Sequence, residues 1–398
     1  MYHVYFGENE LFCIGKTSST SITIEDLKYG TSYLWKVVAV DEHGETTESE
    51  IFSFSTRNWW TRVFDVEGEE KFVEIKRIGD KLYLLGSRTI NGEDTSSIAV
   101  LDSEGNLLNI IDLGNFGPIY GLCKTDEGFV AITYGAFDTH ILWLTENFEI
   151  SNIEVLEGIT VGRTLLELEN GYISVGSTIN DKDGVVIFLD ENGGVEVHKF
   201  DISKNMDEFS CAVLNDDGFT VVGTIFNDDY DILLVKLNED LETIWMKEFK
   251  EISNDFGKSL IKVDNGYLIS GKRFDSGRSC IYVLKVDDER EKIWEKTIRF
   301  DGSCFVESMI ENETGVIVVG WRRNPYDGVI VELTKEGEIA LKDEVGGSES
   351  DFLYDVVPLN RGFLILGSSD SWGKDKNIYL IKIDEYGNFS EEPEVITW

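Results

Sequence analysis

The sequence predicts an all-β protein: a seven-bladed β-propeller of four-stranded blades, preceded by a smaller β module. Three observations predict it. A phrase of Gly, an aromatic residue, three further residues and Gly returns as Gly171-Tyr-Ile-Ser-Val-Gly176, Gly218-Phe-Thr-Val-Val-Gly223, Gly266-Tyr-Leu-Ile-Ser-Gly271 and Gly362-Phe-Leu-Ile-Leu-Gly367. Gly315-Val-Ile-Val-Val-Gly320 and Lys81-Leu-Tyr-Leu-Leu-Gly86 are further copies, and Gly128-Phe129 opens one whose second Gly is displaced to Gly135. From Gly128 onward the leading glycines are 43, 47, 48, 49 and 47 residues apart, a spacing that holds four short strands and their turns. No helical periodicity competes with it, which excludes a helical solenoid.

Residues 1–57 stand apart from the repeats. Tyr33, Trp35, Val37 and Ala39 alternate with Leu34, Lys36, Val38 and Val40 as a period-2 strand, Asp41-Glu-His-Gly44 is a turn, and Ile51-Phe-Ser-Phe-Ser-Thr56 returns. Leu27-Lys-Tyr-Gly-Thr-Ser-Tyr33 followed by this last hairpin resembles the tyrosine corner and closing strands of a fibronectin type III module. The resemblance covers only the later strands of a sandwich that takes about 100 residues, so it implies a partial module whose first strands are expected before Met1.

Residues 58–398 are expected to form the propeller. In each repeat a strand of mixed character leads through a turn such as Asn215-Asp-Asp-Gly218 into the Gly-aromatic strand. A third run such as Asp231-Ile-Leu-Leu-Val-Lys-Leu237 follows, then a turn such as Asp190-Glu-Asn-Gly193, then a fourth strand such as Ile244-Trp-Met-Lys-Glu-Phe249. Trp59-Trp-Thr-Arg-Val-Phe64 reads as a fourth strand and is expected to complete the last blade; Glu394-Val-Ile-Thr-Trp398 competes for that place. These repeats resemble bacterial and archaeal surface-type propeller repeat proteins with Gly-Phe-x-x-x-Gly and Lys-x-Asp-x-x-Gly phrases. That likeness implies an extracellular, cell-surface or periplasmic location and carries no catalytic motif.

Composition narrows the partners. Lys and Arg number 36 against 75 Asp and Glu, a formal net charge of -39, so a nucleic acid or an anionic membrane would meet repulsion over most of the surface. No apolar run approaches the roughly 20 residues that span a bilayer, so membrane insertion is not expected. The five cysteines have no Cys-x-x-Cys spacing and an odd number, and they suggest neither zinc nor a paired disulfide framework.

Two columns of the repeat are candidate sites. Thr95, Asp138, Asp183, Asp231, Cys280, Asp327 and Asn377 open the third strands. A short carboxylate there ties a loop by accepting backbone N–H bonds. The sharper reading is a hard cation, calcium being the one cofactor the acidic loops around Asp183 and Asp231 would take. On the innermost strands Val73, Tyr120, Arg163, Ser210, Lys258, Glu307 and Tyr354 vary, whereas Ile75, Leu122, Leu165, Ala212, Leu260, Met309 and Val356, two positions on, are uniformly apolar. A varying position facing a central funnel lines a wet channel or recognises a ligand. Tyr120, Arg163, Lys258, Glu307 and Tyr354 are therefore expected to converge at one end of the axis, with Trp321 and Trp372 on the loops of the rim.

An enzyme is less well supported. The four histidines are scattered singly, which leaves no Ser-His-Asp set and no His-metal set. Glu74, Glu307 and Asp355 on the inner strands could supply the two carboxylates of glycoside hydrolysis, but with 75 acidic residues in the chain the coincidence is cheap. The sequence therefore points first to a non-catalytic binding or scaffold protein for a carbohydrate, peptide or protein partner, and second to a propeller glycoside hydrolase or lyase.

Overall fold

The computed structural model describes residues 1–398 apart from Glu25, Asp26, Tyr29, Ala136, Asn192, Lys204, Glu251, Ile252 and Tyr386, and apart from the side chain of Arg163. Among the described residues every regular element is a strand, and none is a helix long and apolar enough to cross a membrane.

The first 55 residues form one five-stranded sheet, in which Ser32–Val40 pairs with Tyr2–Gly7, Thr46–Glu48 and Phe52–Ser55, and Phe12–Thr17 lies outside Tyr2–Gly7. The Tyr33 hydroxyl accepts the Lys28 amide at 3.0 Å and closes the bend before the longest strand. Phe6 stacks on Tyr33 with ring centroids 4.8 Å apart. That face is only partly covered: Phe54 is 40% exposed, and an apolar trough of about 480 Å³ runs between Val4, Phe6, Ile22, Trp35 and Phe54.

From Trp60 onward the chain is a β-propeller. Among the described residues six four-stranded antiparallel sheets follow in sequence order, and a final five-stranded sheet takes strands from both ends of the region. The innermost strands, Glu69–Ile78, Ile119–Lys124, Ile159–Leu168, Met206–Asn215, Asp255–Val263, Cys304–Glu311 and Asp351–Pro358, touch their neighbours around an axis, and the last touches the first. The core lies between sheets. Val222, Ile232 and Leu234 of one sheet meet Leu260, Ile269 and Tyr282 of the next, all buried. Each such side chain contributes about 1.5–3 kcal/mol of burial free energy, and every sheet shares it with two neighbours.

The ring closes as the Trp59 segment leads one to expect. Trp60–Asp65 pairs antiparallel with Asn377–Ile383, Phe64 opposite Ile378 and Trp60 opposite Lys382, and Trp60, Val63 and Phe64 are buried. The competing segment has its own place. Glu394–Thr397 adds in parallel to the outer edge of Trp60–Asp65, so the two candidates are neighbours in one sheet rather than alternatives.

Candidate functional site at the propeller axis

The repeated glycines explain how the axis is built. The second Gly of the phrase sits opposite the innermost strand: Gly223 pairs with Phe209 and Gly271 with Gly257. A Cβ on Gly271 would lie 1.8 Å from the Phe256 carbonyl oxygen, and one on Gly223 2.0 Å from that of Glu208, so only Gly lets the inner backbone pass so close. Directly after this contact the register slips. It slips between Phe72 and Glu74, Ile119 and Gly121, Phe209 and Cys211, Gly257 and Ser259, Val306 and Ser308, and Leu353 and Asp355. The residue skipped each time belongs to the varying column: Val73, Tyr120, Ser210, Lys258, Glu307 and Tyr354. A bulged residue leaves the ladder and its side chain is re-aimed. In the second sheet Thr133 takes the place of the paired Gly, and its buried hydroxyl bonds to the Phe116 carbonyl at 2.7 Å.

Most of this column reaches an axial cavity of about 550 Å³. Tyr120, Ser210, Lys258 and Glu307 line it together with Glu74, Lys76, Ser308 and Asp355. One expectation is corrected. Tyr354 is 6% exposed and does not line the cavity: its hydroxyl meets the Ser368 hydroxyl at 3.1 Å and its ring lies parallel to Phe352. Val73 is buried as well, as suits an apolar side chain at a bulge. The side chain of Arg163 lies outside the described residues.

The polar groups of the cavity hold one another in place. Asp355 accepts the Ile75 amide at 2.8 Å and the Ser308 hydroxyl at 2.7 Å, and so joins three sheets across the ring closure. Thr164 repeats the device by accepting the Ala212 amide at 3.3 Å. Lys76 Nζ lies 3.0 Å from Glu74. Burial works against the Lys76 ammonium, yet the charge and hydrogen bond of Glu74 outweigh it and hold the proton more tightly than usual. Glu307 accepts the Trp321 indole N–H at 2.9 Å and lies 3.7 Å from Lys258 Nζ. Burial pushes the Cys211 thiol up, and that of Cys123 to about 12, so neither is a ready thiolate nucleophile.

The two tryptophans expected on the rim loops are packed rather than free, and only Trp372 is on a loop: Trp321 lies within the strand Gly315–Arg322 and pairs with Gly328. Trp321 stacks on Phe305 at 4.2 Å and meets Phe352 edge-on, and Trp372 leans on Tyr379 at 5.5 Å. The outer-strand Trp294 is held by its N–H bond to the Lys335 carbonyl at 2.9 Å.

The acidic column behaves mainly as loop ties. Asp138 accepts the Gly158 amide at 3.2 Å, Asp327 the Arg322 guanidinium at 2.9 Å, and Asn377 donates to the Trp372 carbonyl at 2.7 Å. Among the described residues Asp183 alone gathers a group able to hold a cation: its carboxylate, that of Asp201 and that of Asp207 lie within 4.8 Å of one another. Asp207, however, already accepts the Ile202 and Ser203 amides. Desolvation, with the charges of Asp201, Asp181 and Asp207, pushes the Asp183 carboxyl up. Asp231 is buried and belongs to no such group among the described residues.

A further column escapes the sequence reading. Glu70, Asp207, Asp255 and Asp351 begin or nearly begin their inner strands, two residues before the paired Gly contact, and each is at most 1% exposed. Asp255 binds Arg273 at 2.7 Å, Asp351 accepts the Gly347 amide at 2.7 Å, and Glu70 faces Arg88 at 3.3 Å. An acid eleven residues before the hairpin Gly, as in Asp207, Asp255 and Asp351, is the signal that would have found it.

No family model and no curated protein matches the chain. Similar solved structures include the Dos1 propeller (10% identity, TM-score 0.48, 92% of this chain and 91% of that one). They also include a quinoprotein alcohol dehydrogenase-like protein of Bacteroides thetaiotaomicron (12%, 0.49, 86% and 88%) and the periplasmic gluconolactonase of Pseudomonas aeruginosa (10%, 0.48, 88% and 98%). The assignment of this chain as a β-propeller stands on its own sheet order.

Proposed function

We propose that residues 58–398 are a seven-bladed β-propeller, that residues 1–57 are part of a fibronectin type III-like module, and that the whole is a non-catalytic binding or scaffold protein working outside the cytoplasm. The ligand, a carbohydrate, peptide or protein segment, enters the axial funnel. One observation carries the reading: the bulges turn Tyr120, Ser210, Lys258 and Glu307 out of their ladders and into one cavity. A ring of backbone irregularities aimed at one space is how a rigid scaffold presents variable side chains.

The glycoside hydrolase alternative has the right residue types in the same cavity, Glu74, Glu307 and Asp355. Each carboxylate is engaged by a neighbour, namely Lys76, the Trp321 indole and the Ile75 amide. This favours fixed walls over a free acid and base pair. A glycan and peptide array probed with the full chain and with Tyr120→Ala tests the reading. Binding by the parent that is lost in the variant, with melting unchanged, is the expected result, and Tyr354→Phe serves as the control that keeps binding. Equal binding by Tyr120→Ala sinks it, and release of a new reducing end from a bound glycan replaces it with hydrolysis.

A further inference from the structure

At the mouth of the funnel this acidic chain gathers cations around aromatic rings. Glu208, Ser210, Phe256, Lys258, Lys272 and Glu307 line a groove of about 360 Å³ that shares a wall with the axial cavity. Lys272 Nζ sits 4.0 Å from the centre of the Phe256 ring and 5.1 Å from that of Phe274. Among the described residues no carboxylate is within ion-pair distance of it. At the groove's edge Arg323 lies 5.1 Å from the centre of Phe305.

Ring faces hold these cations differently from the way acids would. A quadrupole fixes an ammonium by its face and leaves the full positive charge in place, whereas a carboxylate would cancel it. With 75 acidic residues available, a half-buried lysine seated on rings is a positioned and uncompensated charge. Burial, and after it the neighbouring Lys258, push its ammonium down, with Glu208 opposing; an arriving anion would relieve that penalty.

We infer that the groove binds a monoanionic, hydroxyl-rich acid of the uronic acid class, its carboxylate placed between Lys258 and Lys272. The inference rests on the funnel being a ligand site. Lys258, Lys272 and Arg323 exceed Glu208 and Glu307 by one charge, which suits a single carboxylate; a doubly charged phosphate would also face both glutamates. Those glutamates and the Ser210 hydroxyl are acceptors for sugar hydroxyls.

Calorimetry at low salt with methyl galacturonoside, with the neutral methyl galactoside and with inorganic phosphate tests it. Saturable binding of the galacturonoside, at least about tenfold weaker binding of the galactoside, and a loss of at least about tenfold in Lys272→Met and Lys258→Met are expected, because truncating one partner of a close charge pair costs that much or more. Lys272→Arg should keep most of the affinity, and all variants should melt with the parent. The galactoside bound as tightly as the galacturonoside, with Lys272→Met indifferent and Tyr120→Ala deficient, would overturn the acid assignment while sparing the funnel. Phosphate bound as tightly as the galacturonoside overturns the sugar class. No saturable binding of the galacturonoside overturns the inference, and the glycan and peptide array then decides on the funnel separately.

Discussion

The two regions of this molecule bury aromatic side chains by opposite means. In residues 1–55 one sheet carries Phe6, Tyr33, Trp35 and Phe54 on a face that nothing among the described residues fully covers, and Phe54 remains 40% exposed. In the propeller each sheet is covered on both faces by its neighbours, and Tyr282 and Tyr379 are 1% exposed. A sheet with one open face gains roughly half the burial that a sandwiched one does. Cohesion here is thus a property of the ring and not of strand pairing as such.

The largest effect that sharpens this contrast comes from truncation. Removing residues 1–57 should leave the propeller melting within a few degrees of the full chain. Removing 1–66 deletes Trp60, Val63 and Phe64 from the last sheet, and at about 1.5–3 kcal/mol for each buried side chain the loss should reach several kcal/mol. Thermal melts of the two truncations check it, and equal melting points would break the comparison.

Next come the glycines. Gly271→Ala places a methyl 1.8 Å from a backbone oxygen in the ring and should cost at least about 3 kcal/mol. Gly44→Ala, in the open N-terminal hairpin, meets nothing within 4 Å. It pays only for its φ of 85°, on the order of 1 kcal/mol. Denaturant midpoints of the pair measure the difference.

A smaller effect depends on pH. Burial, opposed by Arg88, pushes the Glu70 carboxyl up to about 8, whereas in the unfolded chain it titrates near its ordinary value of about 4.3. The folded state therefore holds the proton more tightly. Stability from this group is complete below that ordinary value and falls as pH rises through about 8. Melting temperature followed from pH 4 to 9 should decline less steeply in Glu70→Gln. A residual slope of the same sign is expected from Asp351 and Asp327, which burial also pushes up. The N-terminal sheet holds no comparably buried carboxylate among the described residues.

Smallest is Tyr33→Phe, which removes one hydrogen bond to the Lys28 amide. It should cost about 1 kcal/mol, and amide exchange should quicken around residues 28–33 without changing the ring.

The propeller was legible in the sequence because its glycines are dictated by backbone contact, and backbone contact repeats with the fold. The bulge was not. Period-2 alternation cannot show that one residue per inner strand is surplus, so the varying column stood out by its chemistry while the reason for its variation stayed hidden. Tyr120 and Tyr354 look equivalent along the chain. Only the third dimension shows that the Ser368 hydroxyl meets the second one inside a sheet, while the first lines the cavity. The tryptophans misled in the same way: Trp321 was expected on a rim loop, yet it lies within the strand Gly315–Arg322, where Phe305 and Glu307 occupy its ring and its N–H. The parallel strand Glu394–Thr397 was out of reach too, because two strand-like segments suggested a choice between them and not a pair.

The closing strand sets a timetable for synthesis. Trp60–Asp65 leaves the ribosome early, yet its partner Asn377–Ile383 lies about 300 residues downstream, which at about 5–20 residues per second is a wait on the order of 15–60 s. Through that interval an aromatic strand has no ladder to join while the sheets between are made one after another. A nascent chain stalled before residue 377 should hold this strand open to a chaperone or a protease, and emergence of Asn377–Ile383 from the ribosome should hide it.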